Sequence, residues 1–418
     1  MVNSLDNRVV VSGIGCFSPL GLDIVTTWEN LIAGKSGIDY ITLFDAEKFD
    51  TRFAGEVKGF EPTNYLDRKE ARRMDRFAQL SVAASKQAVE QAGIQINSAN
   101  QGQIGIIIGS GIGGLTTLYE QTKILVENGP GEVSPFLVPM MIADMAAAQV
   151  SITLGVKGVN LCTTSACSSS SDAMGVAYEL IKRGDALVAI TGGAEAIINP
   201  LGISAFNALR ALSTRNEAPQ QASRPFDAGH DGFVIGEGAC ALIFESLTHA
   251  QQRGANILAE VIAYGASGDA FHITRPDDDG DGAARAIQLA LNKAGLAPDD
   301  IDYINAHGTS TPLNDRMETR AIKTVFGEQA YRIPVSSTKS MTGHLIGASG
   351  SLEAAVCIMA IKHGIIPPTI NLCQPAPECD LDYVPGKARR AEVNVALSNS
   401  FGFGGHNSVL IFRKYSED

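Results

Sequence analysis

VNLCTTSACSSSSDAMGVAYELIKRGDALVAITGGAEA, residues 159–196, contains a complete strand, helix and strand. The segment before Cys167 has strand character, and from Ser168 onward apolar side chains recur at helical spacing. Lys182 and Arg183 in the last turn, followed by Gly184, predict where that helix ends. The next apolar run ends in two glycines, which indicates a buried strand and a tight turn. This order favours an α/β fold with largely parallel sheets.

Other parts of the chain repeat this pattern of strand, glycine turn and helix. The strongest matches are 185–196 followed by 236–245 against 394–405 followed by 406–413, and 104–114 against 301–311. Repetition in the same order predicts two similar α/β halves with a boundary between Ser246 and Ala259. We therefore assign residues 1–255 to an N-terminal half and 256–418 to a C-terminal half. The alternative, that buried α/β strands simply resemble one another, stays open.

Composition restricts the class of protein. The chain has 418 residues, 45% of them hydrophobic, and a net charge of −12. Its length suggests two or more domain-sized units. The acidic balance argues against nucleic-acid binding, because the phosphate backbone favours proteins with excess Lys and Arg. An acidic partner is still compatible with a local basic patch.

The cysteines and apolar segments indicate a compartment. Seven cysteines are scattered without a CxxC pair, which fits reduced thiols in a cytoplasmic protein better than disulfides or structural zinc. The longest apolar segment, 137–156, is interrupted by Asp144 and Gln149 and is interpreted as a core helix with a connector. The N-terminus lacks the pattern of a signal peptide. The sequence therefore predicts no membrane association.

Cys167 lies at the predicted junction between strand and helix. Free N–H groups and the positive end of the helix dipole would stabilise a thiolate there, and small neighbours would let a carbonyl approach the sulfur. Cys167 is therefore a candidate nucleophile. The alternative, a buried inert cysteine, is common in proteins.

Two histidines follow predicted strands in glycine-containing loops. His307 lies in INAHGTSTP, where Thr311 is a plausible N-cap and Pro312 the first residue of a helix. His344 lies in STKSMTGH, five residues after Lys339. Loops at strand ends carry the chemistry of open α/β sheets, so both are candidate site residues. Four others are interpreted as structural, His230, His249, His272 and His363, and His406 is intermediate.

Together these motifs resemble the condensing-enzyme family, the β-ketoacyl synthases. The residues that carry the resemblance are ACSSS with Cys167, AHGTSTP with His307, STKSMTGH with Lys339 and His344, and SNSFGFGGHN near the C-terminus. The resemblance covers nearly the whole chain and includes NALRALSTRN (207–216) and RPFDAGHDGFVIGEGA (224–239). Four motifs in the same order are far more specific than any one of them.

The resemblance implies a thiolase-like fold, a five-layered α/β/α/β/α core of two related halves, usually in a homodimer. It implies that Cys167 takes an acyl chain from acyl carrier protein and that His307 and His344 face a malonyl thioester losing CO2. Backbone N–H groups of Cys167 and Phe403 would hold the oxyanion. No metal and no resident cofactor are implied, since phosphopantetheine arrives on the carrier protein. The division of labour between the histidines stays open.

The resemblance also assigns supporting residues. Lys339 would pair with Glu353, either as a plain structural ion pair or as a charge acting on the histidines. Thr309 and Thr311 would contact the pantetheine arm, and Phe403 would also gate the site. Ile112 and Phe206 would line the acyl pocket and bear on chain length.

A basic run, RKEARRMDR (68–76), stands out in this acidic chain. By resemblance, the docking patch for acyl carrier protein comprises Lys69, Arg72, Arg73 and Arg210. The alternative is a solvated helix face with i,i+4 pairs. One departure from the family concerns the pantetheine channel, where Arg275 replaces the commoner small polar residue. The GGHN turn replaces the commoner GGTN, with no chemical consequence that we can derive.

Other functions compete with this hypothesis. DDDGDG (277–282) imitates a calcium loop, but its twelfth position is Gln288 rather than the required Glu, which favours a solvated loop. A cysteine hydrolase would not need two matched histidines. A thiolase would need a second catalytic cysteine, and Cys357, Cys373 and Cys379 lack that context. A non-catalytic partner subunit usually lacks the nucleophile, so a polyketide ketosynthase is the nearest rival.

Overall fold

The computed structural model describes residues 8–417, which form two similar halves around a ten-stranded sheet. The strands in the described part of the chain are β1 (Val9–Phe17), β2 (Asp39–Tyr40), β3 (Phe53–Ala54), β4 (Ile104–Gly109), β5 (Asn160–Thr163), β6 (Val188–Glu195), β7 (Gly238–Ser246), β8 (Ala259–Gly268), β9 (Tyr303–Asn305), β10 (Val335–Ser336), β11 (Ile365–Ile366), β12 (Arg389–Arg390), β13 (Val395–Gly402) and β14 (His406–Arg413).

Helices connect these strands and cover both faces of the sheet. Those in the described residues are α1 (Ile24–Ile32), α2 (Arg68–Ala71), α3 (Arg76–Ala92), α4 (Leu115–Asn128), α5 (Leu137–Met141), α6 (Met145–Leu154), α7 (Ser169–Arg183), α8 (Pro200–Ala208), α9 (Leu247–Gln252), α10 (Asp281–Ala294), α11 (Pro312–Phe326), α12 (Lys339–Thr342) and α13 (Ser349–His363). Short 3-10 turns precede α7 at Ala166–Ser168 and α13 at Ile346–Ala348.

The strand order of the large sheet is the same in the two halves. It runs β10-β9-β13-β14-β8-β1-β7-β6-β4-β5. If the five strands that each half contributes to this sheet are numbered along the chain, their order from the centre outward is first, fifth, fourth, second and third in both halves. The pairings also match: β4 is parallel to β5 and β6 as β9 is parallel to β10 and β13, while β7 and β14 run antiparallel to their neighbours. The sheets are therefore mixed, which corrects the expectation of largely parallel sheets. The reversed strand of each half lies next to the strand before it in the chain: β14 follows β13 after a short turn, whereas β7 follows β6 after a long connection that contains α8.

Five layers result from how the helices pack. α7 and α13 contact strands of both halves and share one hydrophobic core, so they form the central layer. α3 and α6 pack on the outer face of the N-terminal half, and α10 and α11 on that of the C-terminal half. The order α/β/α/β/α is the thiolase-like architecture. The halves join where β1 pairs with β8 over three residues, Val9–Val11 against Ala259–Val261.

The local predictions hold at the helices that carry the site. α7 ends at Arg183, and Gly184 adopts the left-handed conformation (φ 81°) that favours glycine. α11 begins at Pro312, but the hydroxyl of Thr311 does not cap it and instead lies 2.9 Å from Oγ1 of Thr309. Two short helices, α5 and α6, replace the single core helix expected within 137–156.

The acidic loop 277–282 is held by arginines. Asp281 pairs with Arg285 at 2.7 Å, and Arg316 and Arg320 of α11 approach Asp278 and Asp279 at 3.8 Å. These contacts describe a solvated loop with local ion pairs. No helix within the described residues is long and apolar enough to cross a membrane. All seven cysteines are free.

Candidate active site

Cys167 sits in a tight turn at the start of the central helix α7. Ala166, just before it, has φ 52°, an uncommon conformation for a residue with a side chain. β4 packs so closely beneath this turn that a Cβ on Gly109 would lie 2.4 Å from the backbone of Ser169. The packing fixes the turn and leaves Cys167 as a whole only 8% exposed.

The C-terminal half completes the surroundings of this cysteine. The backbone N–H of Phe403, just after β13, faces the sulfur of Cys167 and lowers the pKa of that thiol. Gly402 allows the approach, because a Cβ there would lie 2.7 Å from the carbonyl oxygen of Ser165 and 3.1 Å from the amide nitrogen of Cys167. The N–H groups of Cys167 and Phe403 therefore come from opposite halves and meet at one place.

The acidity of Cys167 differs from the expectation. Burial raises the pKa of the Cys167 thiol to about 12, and the positive charge of Lys339 and the Phe403 N–H offset this only in part. The prediction of a thiolate stabilised by the helix is wrong for the free protein, because loss of solvation outweighs the local dipoles in so enclosed a site. Cys167 therefore rests as a thiol, and a base must remove its proton.

Two candidate bases face it. The sulfur of Cys167 and one ring nitrogen each of His307 and His344 all lie within 4.8 Å of one another. The histidine rings stand edge to face, with centroids 5.3 Å apart and planes at 86°. Phe401 packs edge-on against His307 and Phe233 against His344. Aromatic walls on both sides fix the rings and exclude water from the cluster.

Both histidines are neutral near pH 7. Burial, together with the charge of Lys339, lowers the pKa of each well below its usual range, and His344 also lowers that of His307. Nδ1 of His344 lies 2.8 Å from Oγ of Ser349 at the start of α13. Its Nε2 is buried and has no partner among the described residues. A neutral imidazole has one N–H and one bare nitrogen, so each ring can donate one hydrogen bond and accept one proton.

A buried carboxylate that the sequence analysis missed positions His307. Glu318 of α11 accepts hydrogen bonds from the backbone N–H groups of His307 (2.8 Å) and Gly308 (2.7 Å) and from Nδ2 of Asn399 (3.0 Å). Burial raises the pKa of Glu318 to about 7 despite these donors. The signal available in the sequence was a glutamate on the buried face of a helix directly after the His307 loop.

Glu195, at the end of β6, was also missed. Its carboxylate accepts from the backbone N–H groups of Gly111 (2.7 Å), Ile112 (3.2 Å) and Gly113 (3.3 Å), and from Gly347 (3.0 Å) in the turn after His344. Oγ of Ser110 donates to it as well, at 3.0 Å. Glu195 thus ties the loop after β4 to the loop that carries His344. Burial raises the pKa of Glu195 to about 7.

Lys339 forms an ion pair with Glu353 beneath the site, and both side chains are 2% exposed. Its charge lowers the pKa of Cys167, His307 and His344, so it acts on all three groups. Glu353 in turn has a raised pKa, because burial outweighs the attraction of the lysine. Whether this pair is more than structural stays a prediction.

Several buried oxygen atoms of the C-terminal half have no hydrogen-bond partner among the described residues. They include Oδ1 of Asn305, Oε2 of Glu353, Oγ of Ser398 and Oδ1 of Asn399. Asn305 and Ser398 are register partners on β9 and β13.

One cavity reaches the three reactive groups and also has exposed residues in its wall. Its walls include Cys167, Phe206, Arg210, Asp231, Asp269, Thr274, Arg275, His307, Thr309, Thr311, Leu313, His344, Phe401 and Phe403. Phe206, Thr309 and Thr311 thus lie where a bound chain or arm would pass. Ile112 does not line this cavity and is 38% exposed, so its role in an acyl pocket stays a prediction.

The cations assigned to docking lie on the surface. Lys69, Arg72 and Arg73 are exposed, and the described part of the chain contains no salt bridge to any of them. Arg73 stacks on the ring of Phe136 at 4.6 Å. The i,i+4 pairs of a plain solvated helix face are thus missing here. Arg210 lies at the mouth of the cavity.

A buried cysteine between two neutral histidines, at the joint of two thiolase-like halves, defines the class of condensing enzymes. The profile of the beta-ketoacyl synthase N-terminal domain matches residues 6–250, and that of its C-terminal domain matches residues 258–373. The chain belongs to the beta-ketoacyl synthase family and is an acyltransferase of the condensing type. It is 54% identical over 415 residues, 99% of this chain and 100% of the relative, to 3-oxoacyl-[acyl-carrier-protein] synthase 2 of Synechocystis sp..

Solved structures share the fold. A beta-ketoacyl synthase from Burkholderia phymatum superposes with a TM-score of 0.91 at 38% identity, covering 98% of this chain and 100% of that one. A type II polyketide synthase acyl-carrier protein in complex with its ketosynthase bound to the hexaketide provides a second match, with a TM-score of 0.90, 34% identity, and 98% and 100% coverage. That structure shows a ketosynthase of this fold holding a carrier protein.

Proposed function

We propose that this chain elongates a fatty acyl group by two carbons through decarboxylative Claisen condensation with malonyl-acyl carrier protein. The observation that carries the proposal is the convergence of one thiol, two neutral imidazoles and two backbone N–H groups on the end of a single cavity. Hydrolysis needs only the thiol and one base. A second neutral imidazole is suited to an enolate, which needs an N–H donor that does not protonate it.

The first step transfers the acyl group to the enzyme. A histidine nitrogen takes the proton of the Cys167 thiol as the sulfur attacks the thioester carbonyl. The N–H groups of Cys167 and Phe403 hold the resulting oxyanion. The bond between the carbonyl carbon and the carrier's sulfur then breaks, and the histidine gives its proton to that sulfur. The acyl group then stays on Cys167.

The second step forms the carbon–carbon bond. The malonyl carboxylate leaves as CO2, and its electron pair passes to the thioester as an enolate whose oxygen accepts N–H hydrogen bonds from His307 and His344. The enolate carbon attacks the acyl carbonyl on Cys167, the C–S bond breaks, and the freed thiolate takes a proton from water. Ser349 donating to Nδ1 of His344 would leave the proton on Nε2, which faces the site. Exclusion of water protects the enolate from premature protonation.

The fatty-acid function is favoured over the polyketide alternative. The relative at 54% identity carries the name 3-oxoacyl-[acyl-carrier-protein] synthase 2, whereas the polyketide ketosynthase is 34% identical. No resident cofactor is needed, since the phosphopantetheine belongs to the carrier. The free cysteines support a cytoplasmic location, where thiols stay reduced.

Two protein partners are part of the proposal. The acidic carrier protein would dock on Lys69, Arg72, Arg73 and Arg210, because all four cations are exposed and Arg210 lines the cavity. A second copy of this chain would pair with β5. That strand is an edge of the large sheet, and large apolar side chains on and near it are exposed, among them Leu161, Ile152, Val126 and Val138.

The reaction can be tested directly. Purified protein supplied with acyl- and malonyl-carrier protein should release one CO2 for each 3-oxoacyl-carrier protein, detected by mass spectrometry. Release of free fatty acid without condensation would instead identify a hydrolase. Comparison of acyl chains of different length would show which the enzyme prefers.

A further inference from the structure

The cavity changes character along its length. At its closed end lie Cys167 and the two histidines, all buried. At its mouth the wall residues are exposed, and among the described residues that line it only Arg210 and Arg275 carry a permanent positive charge. The carboxylates of Asp231 and Asp269 line the same cavity, so its wall has no net charge, but the two guanidinium groups can each bind an anionic group of a ligand at the opening.

Arg275 is placed to contact a molecule that occupies the mouth. It follows β8 in the loop before α10, and its own backbone N–H is bonded to Nδ1 of His272 at 3.1 Å. Its side chain is 49% exposed and makes only a 3.1 Å ion pair with Asp278 and a loose contact over the ring of Phe271 at 5.9 Å. An exposed pair of this kind contributes little stability, so the guanidinium can exchange Asp278 for a stronger acceptor.

The substrate supplies such an acceptor at one point. A thioester whose carbonyl reaches Cys167 lies at the closed end, and its uncharged pantetheine amides pass Thr309 and Thr311. The first anionic group of the arm is the phosphate at its far end. Guanidinium binds phosphate oxygens through two parallel N–H donors, which carboxamide or hydroxyl groups cannot imitate.

We propose that Arg275 binds the phosphate of the carrier's phosphopantetheine arm at the cavity mouth, which Arg210 also lines. This inference rests on the proposed function. Arg275 thereby selects substrates that carry a phosphate at the end of the arm, and it does so without touching the reacting atoms. Since this contact is exposed, it weakens as the salt concentration rises.

The test compares three acyl donors that differ in one part each: acyl-carrier protein, acyl-4′-phosphopantetheine without protein, and acyl-pantetheine without phosphate. The readout is the second-order rate constant for acylation of Cys167, followed by intact mass. Arg275→Ala should lower it about tenfold with the first two donors and leave it unchanged with acyl-pantetheine.

Two further variants serve as controls. Arg285→Ala removes an arginine of equal exposure, 49%, that pairs with Asp281 outside the cavity, and it should leave all three rates unchanged. Arg73→Glu should slow acylation by acyl-carrier protein and leave the rates with the two protein-free donors unchanged. The first control shows whether losing any exposed positive charge is enough to slow acylation. The second shows what a docking defect alone does to the three rates.

Three outcomes would overturn the inference. An equal loss with acyl-pantetheine would mean that Arg275 shapes the cavity rather than reads phosphate. A loss confined to the carrier protein would mean that Arg275 meets the protein surface of the carrier. No loss with acyl-phosphopantetheine would remove the phosphate contact altogether. Failure of the unaltered enzyme to be acylated by any donor would instead reject the proposed function.

Discussion

The backbone N–H of Phe403 lowers the pKa of the Cys167 thiol, so a turn of the C-terminal half completes a site that begins in the N-terminal half. Neither half alone contains both oxyanion donors. The similarity of the two halves thus has a functional result: the turn after β5 in one half meets the turn after β13 in the other, next to the central helices α7 and α13.

Removing this donor should slow the reaction without removing the nucleophile. Phe403→Pro deletes the N–H, and we expect kcat to fall by about 10²–10³ fold, as for other oxyanion donors. Phe403→Ala keeps the N–H and should lose less than tenfold. Steady-state kinetics of both variants, with circular dichroism to check folding, make the comparison. Equal losses would show that the ring of Phe403, not its N–H, matters.

The raised pKa of the Cys167 thiol predicts its chemical reactivity. With a pKa of about 12, the fraction of Cys167 present as thiolate grows tenfold for each unit by which the pH rises, as long as the pH stays below the pKa. The rate at which iodoacetamide alkylates Cys167 should therefore rise with a slope of about one between pH 7 and 10. Peptide mass spectrometry distinguishes Cys167 from the exposed Cys373. A plateau at or below pH 8 would show that the thiolate is stabilised after all.

Variants of the buried Lys339–Glu353 pair distinguish its contribution to stability from its contribution to catalysis. Lys339→Met leaves Glu353 without its partner and should destabilise the fold by about 3–5 kcal/mol, measured by urea unfolding. The double variant Lys339→Met, Glu353→Leu should recover most of that loss. Activity should not recover, because the charge that lowers the pKa values of Cys167 and His307 is gone. The acid limb of the double variant's pH–rate profile should move to higher pH, because without the lysine charge the pKa values of His307 and His344 rise.

An active double variant with an unchanged pH profile would contradict that account. It would assign the ion pair a structural role alone.

Glu195 should make the stability depend on pH. Its pKa is about 7 in the folded protein and near 4.5 when unfolded, so the folded state holds the extra proton between these values. The contribution is present below pH 4.5 and is lost as the pH rises through 7. The free energy of unfolding relative to Glu195→Gln should thus fall by about 3 kcal/mol between pH 4.5 and 8. Glu318, with a similar pKa, is common to both proteins and cancels.

If the free energies of unfolding of the two proteins differ by the same amount from pH 4.5 to 8, Glu195 is ionised in the folded state throughout this range. Its five donors would then outweigh its burial.

Much of the site could be predicted from local pattern. The helix that ends at Gly184 and the helix that begins at Pro312 were predictable because periodicity and capping act over a few residues. Glu195 and Glu318 were not, because their partners come from loops that meet only in the folded chain. The acidity of Cys167 was mispredicted for the same reason: burial is a tertiary property, and it exceeds the helix-end effect that the sequence suggests.

The central claim is that Cys167 carries the acyl chain until malonyl-carrier protein removes it. Intact mass after mixing with acyl-carrier protein should show one acyl adduct, mapped to Cys167 and missing in Cys167→Ala. Adding malonyl-carrier protein should discharge that adduct with one CO2 and one 3-oxoacyl product per enzyme. An adduct at another residue, or an adduct lost to water as free fatty acid, would contradict the account.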